Sequence, residues 1–233
     1  AHSLQKLIET AGAVNVPLPL LDILPTPKEN WQKKCPSSPP DLIIFISTNA
    51  VNYAIKHLKK CWDQIPPLLA IGPATQKALT SHHVPTATLP KDFNSEALIE
   101  HTLLKNIKGK TILLVKGKGG RRKIKSFISE KQAMLIELEV YERSCPQDLT
   151  HQIKKTWLND KINLIIIHSI EAMENLFTQA DSKTLEKIKE TSFLVLSQRI
   201  KNHALTQGIK NISVIDKNIE KSIHHYIKYR TLT

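Results

Sequence analysis

An internal duplication limits what this chain can fold into more than any other feature. The stretch DLIIFIS at 41–47 runs into a segment with Val51, Ala54, Ile55 and Leu58 on one helical face. NLIIIHS at 163–169 runs into one carrying Met173, Leu176, Phe177 and Ala180 in the same way. Downstream, PLLAIG at 67–72 and SFLVLS at 192–197 repeat at nearly the same offset, as do helical patterns at 95–105 and 219–228. Four elements in one order at a near-constant offset indicate two copies of one structural unit.

Short aliphatic runs alternating with helical periodicity predict parallel sheets flanked by helices. Strands are expected at 42–47, 68–72, 111–116, 134–141, 163–168, 193–197 and 212–215, with 84–89 a further candidate. The middle of the chain then holds five strands and the C-terminal part only three. To build a comparable sheet the latter must recruit the start of the chain, where Leu4, Leu7, Ile8 and Ala11 have helical spacing and 13–21 reads as an edge strand. The fold class is therefore α/β, with two similar domains joined by a two-stranded hinge. The first domain is discontinuous, 1–24 plus 148–233, with its opening strand missing; the second spans 36–140; the proline-rich 25–35 and 141–147 form the hinge.

No apolar run approaches the roughly 18 residues of a spanning helix, which excludes an integral membrane protein built from helices. No charged-then-apolar leader is present, which disfavours secretion. Cys35, Cys61 and Cys145 are odd in number and form no C-x-x-C pair, and no histidine is placed in sequence to complete a zinc site. They read as reduced cytoplasmic thiols, with no metal. A net charge of +12 favours polyanions, whether nucleic acid, anionic lipid or a small polycarboxylate.

In parallel α/β sheets ligands bind outside the carboxyl ends of the strands, at helix N-termini. The loops there carry Ser47-Thr48-Asn49, Gly72-Pro73-Ala74-Thr75, the KGKGGRR turn at 116–122, His168-Ser169 and Ser197-Gln198-Arg199. All are small, hydroxylic or basic and suit carboxylate or phosphate oxygens. A lone serine at a helix start needs no ligand, because serine is a common N-cap. Recurrence at corresponding ends of both repeats favours a binding role. The glycine turn lacks both the P-loop and the dinucleotide fingerprint, so a nucleotide site is not indicated, and an anion nest assisted by Lys118 and Arg121 is. No G-x-S-x-G elbow, H-E-x-x-H pair or Cys-His nucleophile occurs. His168 is the one histidine at a strand end, and Tyr141, at the exit toward the hinge, can offer a proton.

These residues resemble the uroporphyrinogen-III synthase family. The resemblance rests on Ile71-Gly72-Pro73-Ala74-Thr75 with Ala78-Leu79, on Asn94-Ser95-Glu96-Ala97-Leu98, on 113–121 with its G-x-G-G-R turn, and on Val140-Tyr141-Glu142-Arg143 followed by Pro146. Residues 45–51, 169–176 and 197–200 match more loosely. What the resemblance implies is two α/β domains with the ligand between them and a cofactor-free lyase that cyclises hydroxymethylbilane. That substrate is a linear tetrapyrrole with eight carboxylates. The terminal hydroxyl leaves as water, a spiro intermediate forms, and the ring closes with the last pyrrole inverted. Tyr141 matches a tyrosine that assists hydroxyl departure, and Thr75 a threonine lining the cleft. Ser47 and Ser169 match serines holding carboxylate arms, while Gly72, Ser95, Lys118, Gly119 and Ser197 are further substrate contacts. The family's usual opening strand and Thr-Arg-Pro-like turn have no counterpart, and the glycine turn is more basic than usual. A monomeric, cytoplasmic enzyme of heme and porphyrin biosynthesis, without nucleic-acid or membrane partners, is expected. The competing reading is a non-catalytic polyanion- or nucleic-acid-binding protein, although only 5% of residues are aromatic and none lies in the basic loop.

Pairing an octacarboxylate with a protein of charge +12 predicts a salt dependence. Screening sets in beyond about 8 Å at physiological ionic strength and acts on encounter first. The Michaelis constant should rise with potassium chloride while turnover at saturation moves little; equal effects on both would contradict long-range attraction.

Overall fold

The computed structural model describes residues 2–90, 94–120, 122–215 and 219–230. The chain divides into two compact units, residues 1–22 with 145–233, and 23–144. It passes from one to the other at 22/23 and returns at 144/145.

The continuous unit is built from β1 (Asp22–Pro25), α2 (Lys28–Gln32), β2 (Leu42–Phe45), α3 (Thr48–Leu58), β3 (Leu68–Ala70), α4 (Pro73–Ser81), α5 (Ser95–Ile99), β4 (Thr111–Gly117), α6 (Lys123–Glu130) and β5 (Met134–Ser144). Helix α1 (His2–Thr10) precedes these in the chain and belongs to the other unit. The sheet order is β1-β5-β4-β2-β3, with the β2–β3, β2–β4 and β4–β5 pairs parallel. Both faces are covered, as parallel sheets require. On one face Ile43, Phe45, Leu113, Val115, Leu138 and Val140 pack with Trp31 and with Val51, Ile55 and Leu58 of α3. On the other, Leu42, Ile44, Ile112 and Leu114 pack with Leu98, Ile124 and Ile128. Strand periodicity divides each apolar run between the two layers, which explains why every residue of LIIF in β2 is buried.

The discontinuous unit adds α7 (Leu149–Asn159), β6 (Leu164–Ile167), α8 (Ile170–Gln179), α9 (Ser182–Glu190), β7 (Ser192–Val195), α10 (Gln198–Thr206), β8 (Ile212–Val214) and α11 (Ile219–Arg230) to α1. Its described sheet is parallel, in the order β6-β7-β8. Ile165, Ile167, Phe193 and Val195 face Leu149, Ile153, Met173 and Ile200. Leu4 and Ile8 of α1 pack on the opposite layer with Leu194, Ile223 and Tyr226. The helical spacing at the chain start is thus realised over His2–Thr10.

Three expectations change. Residues 13–21 form no strand: Pro17 and Pro19 lack the N–H a ladder needs, so Leu18 and Leu20 pack on the core as irregular chain, and Asn175 Nδ2 donates to Leu20 O at 2.8 Å. Residues 84–89 form no strand either. Pro85 interrupts them, and they make a single ladder-like bond to β3, Ala87 N to Leu68 O at 2.9 Å. The fifth strand of the continuous unit is β1 instead, at the sheet edge, where its terminal Pro25 costs no central hydrogen bond. Residues 25–35 accordingly are not a free linker. Trp31 is 2% exposed and sits in the core of this unit, and residues 141–144 complete β5.

Trp31→Ala should lower the unfolding free energy of the continuous unit by about 3–5 kcal/mol, since it empties a fully enclosed aromatic site. A denaturant midpoint within error of the parent would return 25–35 to the linker role.

Candidate active site

The strand order β3-β2-β4-β5 places a topological switch point between β2 and β4: the chain leaves β2 toward β3, then returns to the other side of β2 to make β4. Helices α3 and α4 contribute to one apolar layer and α5 and α6 to the other, as in doubly wound sheets. Ligands of such sheets bind at the crevice outside the switch point. Ser47 follows β2, and Lys118, Gly119 and Gly120 follow β4 at that edge.

A third strand reaches into this corner. Along β5 the side chains alternate, with Leu138 and Val140 buried and Glu137 and Glu139 partly exposed. Between Lys116/Gly117 the register shifts, so that Lys116 pairs with Glu139 but Gly117 with Tyr141. The extra residue is a bulge, and it turns Tyr141 into the layer of Val140. Tyr141 is 3% exposed. Its ring lies on Gly117 so closely that a Cβ there would stand 2.5 Å from Cε2 and Cζ. Its hydroxyl is 3.0 Å from Ser47 Oγ. Tyr53 lies alongside, with ring centroids 6.2 Å apart, and donates its own hydroxyl to Ile23 O at 3.3 Å. Gly117 is a site residue that sequence reasoning passed over; a glycine ending a strand was the available signal.

Ser47, Ser169 and Ser197 are all N-caps. Each side chain accepts from the helix, Ala50 N at 3.1 Å, Ala172 N at 3.1 Å and Ile200 N at 3.4 Å respectively. Capping occupies a lone pair and leaves the O–H proton to donate outward. Gly72 precedes α4 with no side-chain cap, and α6 likewise begins without one. Among the described residues their first-turn N–H groups have no side-chain cap, the condition for binding an anion there. Thr75 is buried in the first turn of α4. Ser95 is 7% exposed but does not cap α5; Asn94 does, accepting from Ala97 N at 2.8 Å. Lys123 Nζ bonds Glu96 at 3.3 Å, tying the start of α5 to the start of α6.

The basic turn is less basic in three dimensions than in sequence. Lys116 is buried, with Nζ 3.0 Å from Glu137 and 3.7 Å from Glu139. Lys125 bonds Glu137 at 2.8 Å and Lys118 bonds Glu142 at 3.3 Å. Lys118 N donates to Tyr141 O at 2.7 Å and Gly119 N to Glu139 Oε1 at 3.2 Å, so the carboxylates of β5 shape the turn. Gly119 and Gly120 have φ of +73° and +90°, a region open to glycine. The Lys118–Glu142 pair is solvated and worth little, so Lys118 remains available to an incoming carboxylate. Arg121 lies outside the described residues. His168 follows β6, and desolvation holds its pKa below the usual 6.5.

The cysteines are not scattered. Cys35, His57 and Cys61 bring their ligand atoms within 4.8 Å of one another, against the expectation that no histidine could join them. Cys35, distant in sequence from the other two, joins them because the segment after α2 folds back on the C-terminal end of α3. Burial, reinforced by Cys61, pushes the Cys35 thiol up to about 12, which disqualifies it as a nucleophile at neutral pH.

A family profile described as "Uroporphyrinogen-III synthase HemD" matches residues 2–223. The uroporphyrinogen-III synthase of Escherichia coli (strain K12) is 27% identical over 181 residues, covering 76% of this chain and 74% of that protein. That of Salmonella typhimurium is 27% identical over 215 residues, covering 90% and 83%. Among solved structures, a mutant uroporphyrinogen III synthase from the extremely thermophilic bacterium Thermus thermophilus superposes with a TM-score of 0.66 at 14% identity, over 99% of this chain and 95% of that one. At that identity the superposition shows the fold.

Two outcomes test the corner itself. Gly117→Ala should cost about 1–3 kcal/mol, because the buried Tyr141 ring has nowhere to retreat; a parent-like denaturation midpoint would mean the ring yields freely. Glu137 supplies a pH dependence. Burial alone would raise its pKa from 4.5, but hydrogen bonds from Lys125 and Lys116 outweigh it and lower the value. A depressed carboxylate stabilises the fold above its unfolded pKa and loses that contribution as pH falls through the folded one. The stability gap between the parent and Glu137→Gln should therefore shrink on acidification below the usual value of 4.5, and a gap independent of pH would contradict the pairing.

Proposed function

We infer that this chain, which belongs to the uroporphyrinogen-III synthase family, closes hydroxymethylbilane to uroporphyrinogen III with loss of water and inversion of the last pyrrole. The observation that carries this reading is the family match over residues 2–223. The switch-point corner supplies groups of the right chemistry in support. A linear tetrapyrrole can close without inversion, so the protein has chiefly to hold one geometry and to move one proton.

Within that reading, Ser47 and Tyr141 act as a pair. The tyrosine hydroxyl is enclosed and bonded to Ser47, while Ser47 is only half-buried at the strand end. Ser47 therefore faces the departing hydroxyl. Ala50 N–H occupies one lone pair of Ser47 Oγ; the relay uses the arrangement of the 3.0 Å contact in which Tyr141 is the donor, so that the serine proton points outward. As the C–O bond breaks, Ser47 donates that proton and Tyr141 replaces it. The N-terminal end of α3 favours the negative charge left behind.

Carboxylate arms are received by the uncapped first turns of α4 and α6, by Lys118 and by the backbone of Gly72, with Thr75 and Ser95 near these turns; Gly119, whose N–H is held by Glu139, contributes by shaping the turn. Ser169 and Ser197 offer the same capped-serine donors in the other unit. The protein acts as a monomer in the cytoplasm, and its thiols and ion-paired surface suit that setting. Burial of Lys116 against Glu137, and the lack of aromatic residues in the basic loop, speak against a nucleic-acid backbone there.

The purified chain, assayed with freshly prepared hydroxymethylbilane and analysed after separating the type I and type III isomers, should give type III. Only type I at the spontaneous rate would overturn the reading. Tyr141→Phe keeps the ring and removes the proton source, so it should slow turnover about tenfold, or roughly 1.4 kcal/mol, with little change in stability.

A further inference from the structure

We propose that Cys35, His57 and Cys61 form a zinc site that clips the segment after α2 onto the C-terminal end of α3, independently of the cyclisation chemistry. One imidazole and two sulfurs are a donor set that selects zinc over hard cations such as calcium or magnesium. His57 lies in the last turn of α3 and Cys61 in the turn that follows it, where Cys61 Sγ comes back to within 3.5 Å of His57 O. Cys35 closes the triad from the preceding segment.

The ligand atoms lie within 4.8 Å of one another. In a tetrahedral site with Zn–S near 2.3 Å, ligand atoms stand about 3.5–4 Å apart. Small side-chain movements therefore suffice to close around the ion. The Trp31 ring meets the imidazole edge-on with centroids 5.3 Å apart at 87°, and ligation through Nε2 requires the Gln32 amide, whose nitrogen lies 3.2 Å from Nδ1, to turn its oxygen toward Nδ1–H. Such outer contacts orient a ligand.

Charge is also consistent. Two thiolates and a neutral imidazole carry a charge of −2, which cancels a divalent ion and leaves the site neutral beside Lys28 and Lys60. On binding, each thiol gives its proton to water, and Cys61 gives up its weak bond to His57 O at 3.5 Å. The fourth position falls to water. From Ser47 to His57 is ten residues of helix, about 15 Å, so the ion takes no part at the switch point. Its effect is structural. The same fold-back is held by Trp62 Nε1, which donates to Pro36 O at 3.2 Å, and zinc adds a second fastening.

The test uses the full chain, purified under reductant and stripped of metal, then titrated with Zn(II) against a chromophoric chelator. One equivalent should bind, with a rise in Tm. Cobalt(II) in its place should show a thiolate charge-transfer band. With zinc bound, a thiol reagent should modify only Cys145, and without it Cys61 as well, while Cys35 stays slow in both because its thiol is pushed up to about 12. Cys35→Ser combined with Cys61→Ser should abolish uptake, band and Tm shift, while Cys145→Ser keeps all three. No stoichiometric uptake by the parent would overturn the proposal. So would uptake undiminished in the double variant, or a Cys35–Cys61 disulfide formed in air at the same rate with zinc as without. Should the double variant fail to fold, the cobalt band and the thiol count on the parent still decide the matter.

Discussion

The close approach of the Tyr141 ring to Gly117 is the constraint from which the rest of the proposed site follows. A strand of strict alternation would put Tyr141 on the side of Glu139, facing away from the apolar layer. One extra residue in β5 reverses that, and only a glycine in β4 leaves room for the ring. With the ring seated there, the hydroxyl reaches across β4 to the serine that ends β2. Three strands of different sequence separation thus meet at one hydrogen bond, at the edge where a doubly wound sheet opens to ligands. The same bulge positions the glycine turn, since Lys118 N bonds the Tyr141 carbonyl.

The anion recognition proposed here depends less on net charge than the composition suggests. The lysines at 116, 118, 123 and 125 each face a glutamate, and Lys116 is buried among them. Beside the exposed Lys118, what is directed outward is backbone: the first turns of α4 and α6, which no side chain among the described residues caps. Amides held by a helix do not reorganise when an arm arrives, and they discriminate a planar carboxylate by geometry where a flexible ammonium would not. Serine caps in both units add hydroxyl donors that their own helices have oriented.

Much of the architecture was legible because it rests on local periodicity. The runs LIIF, LIII and SFLV become β2, β6 and β7, and their following serines become caps, as the duplication implied. Prolines marked where regularity fails, at 13–21 and 84–89, although both segments read as strands from their apolar content. The edge strand β1 and buried Trp31 escaped notice, because a proline-rich stretch carries the same signature whether it links units or lies along a sheet edge. Long-range events were illegible for a different reason. Neither a one-residue register shift nor the meeting of Cys35 with His57 and Cys61 follows from spacing in the chain. Lys116 likewise counts toward the basic turn until β5 is aligned beside it and Glu137 takes its charge.

The claim that Tyr141 acts through Ser47 is open to a single decisive measurement: a double-mutant cycle on the single-turnover rate of type III formation. Ser47→Gly removes the hydroxyl at a capping cost of only a few tenths of a kcal/mol, and Tyr141→Phe removes the proton behind it. If the two hydroxyls form one relay, the double variant is no slower than the slower single variant. If the two losses multiply, each group works alone and the relay is wrong.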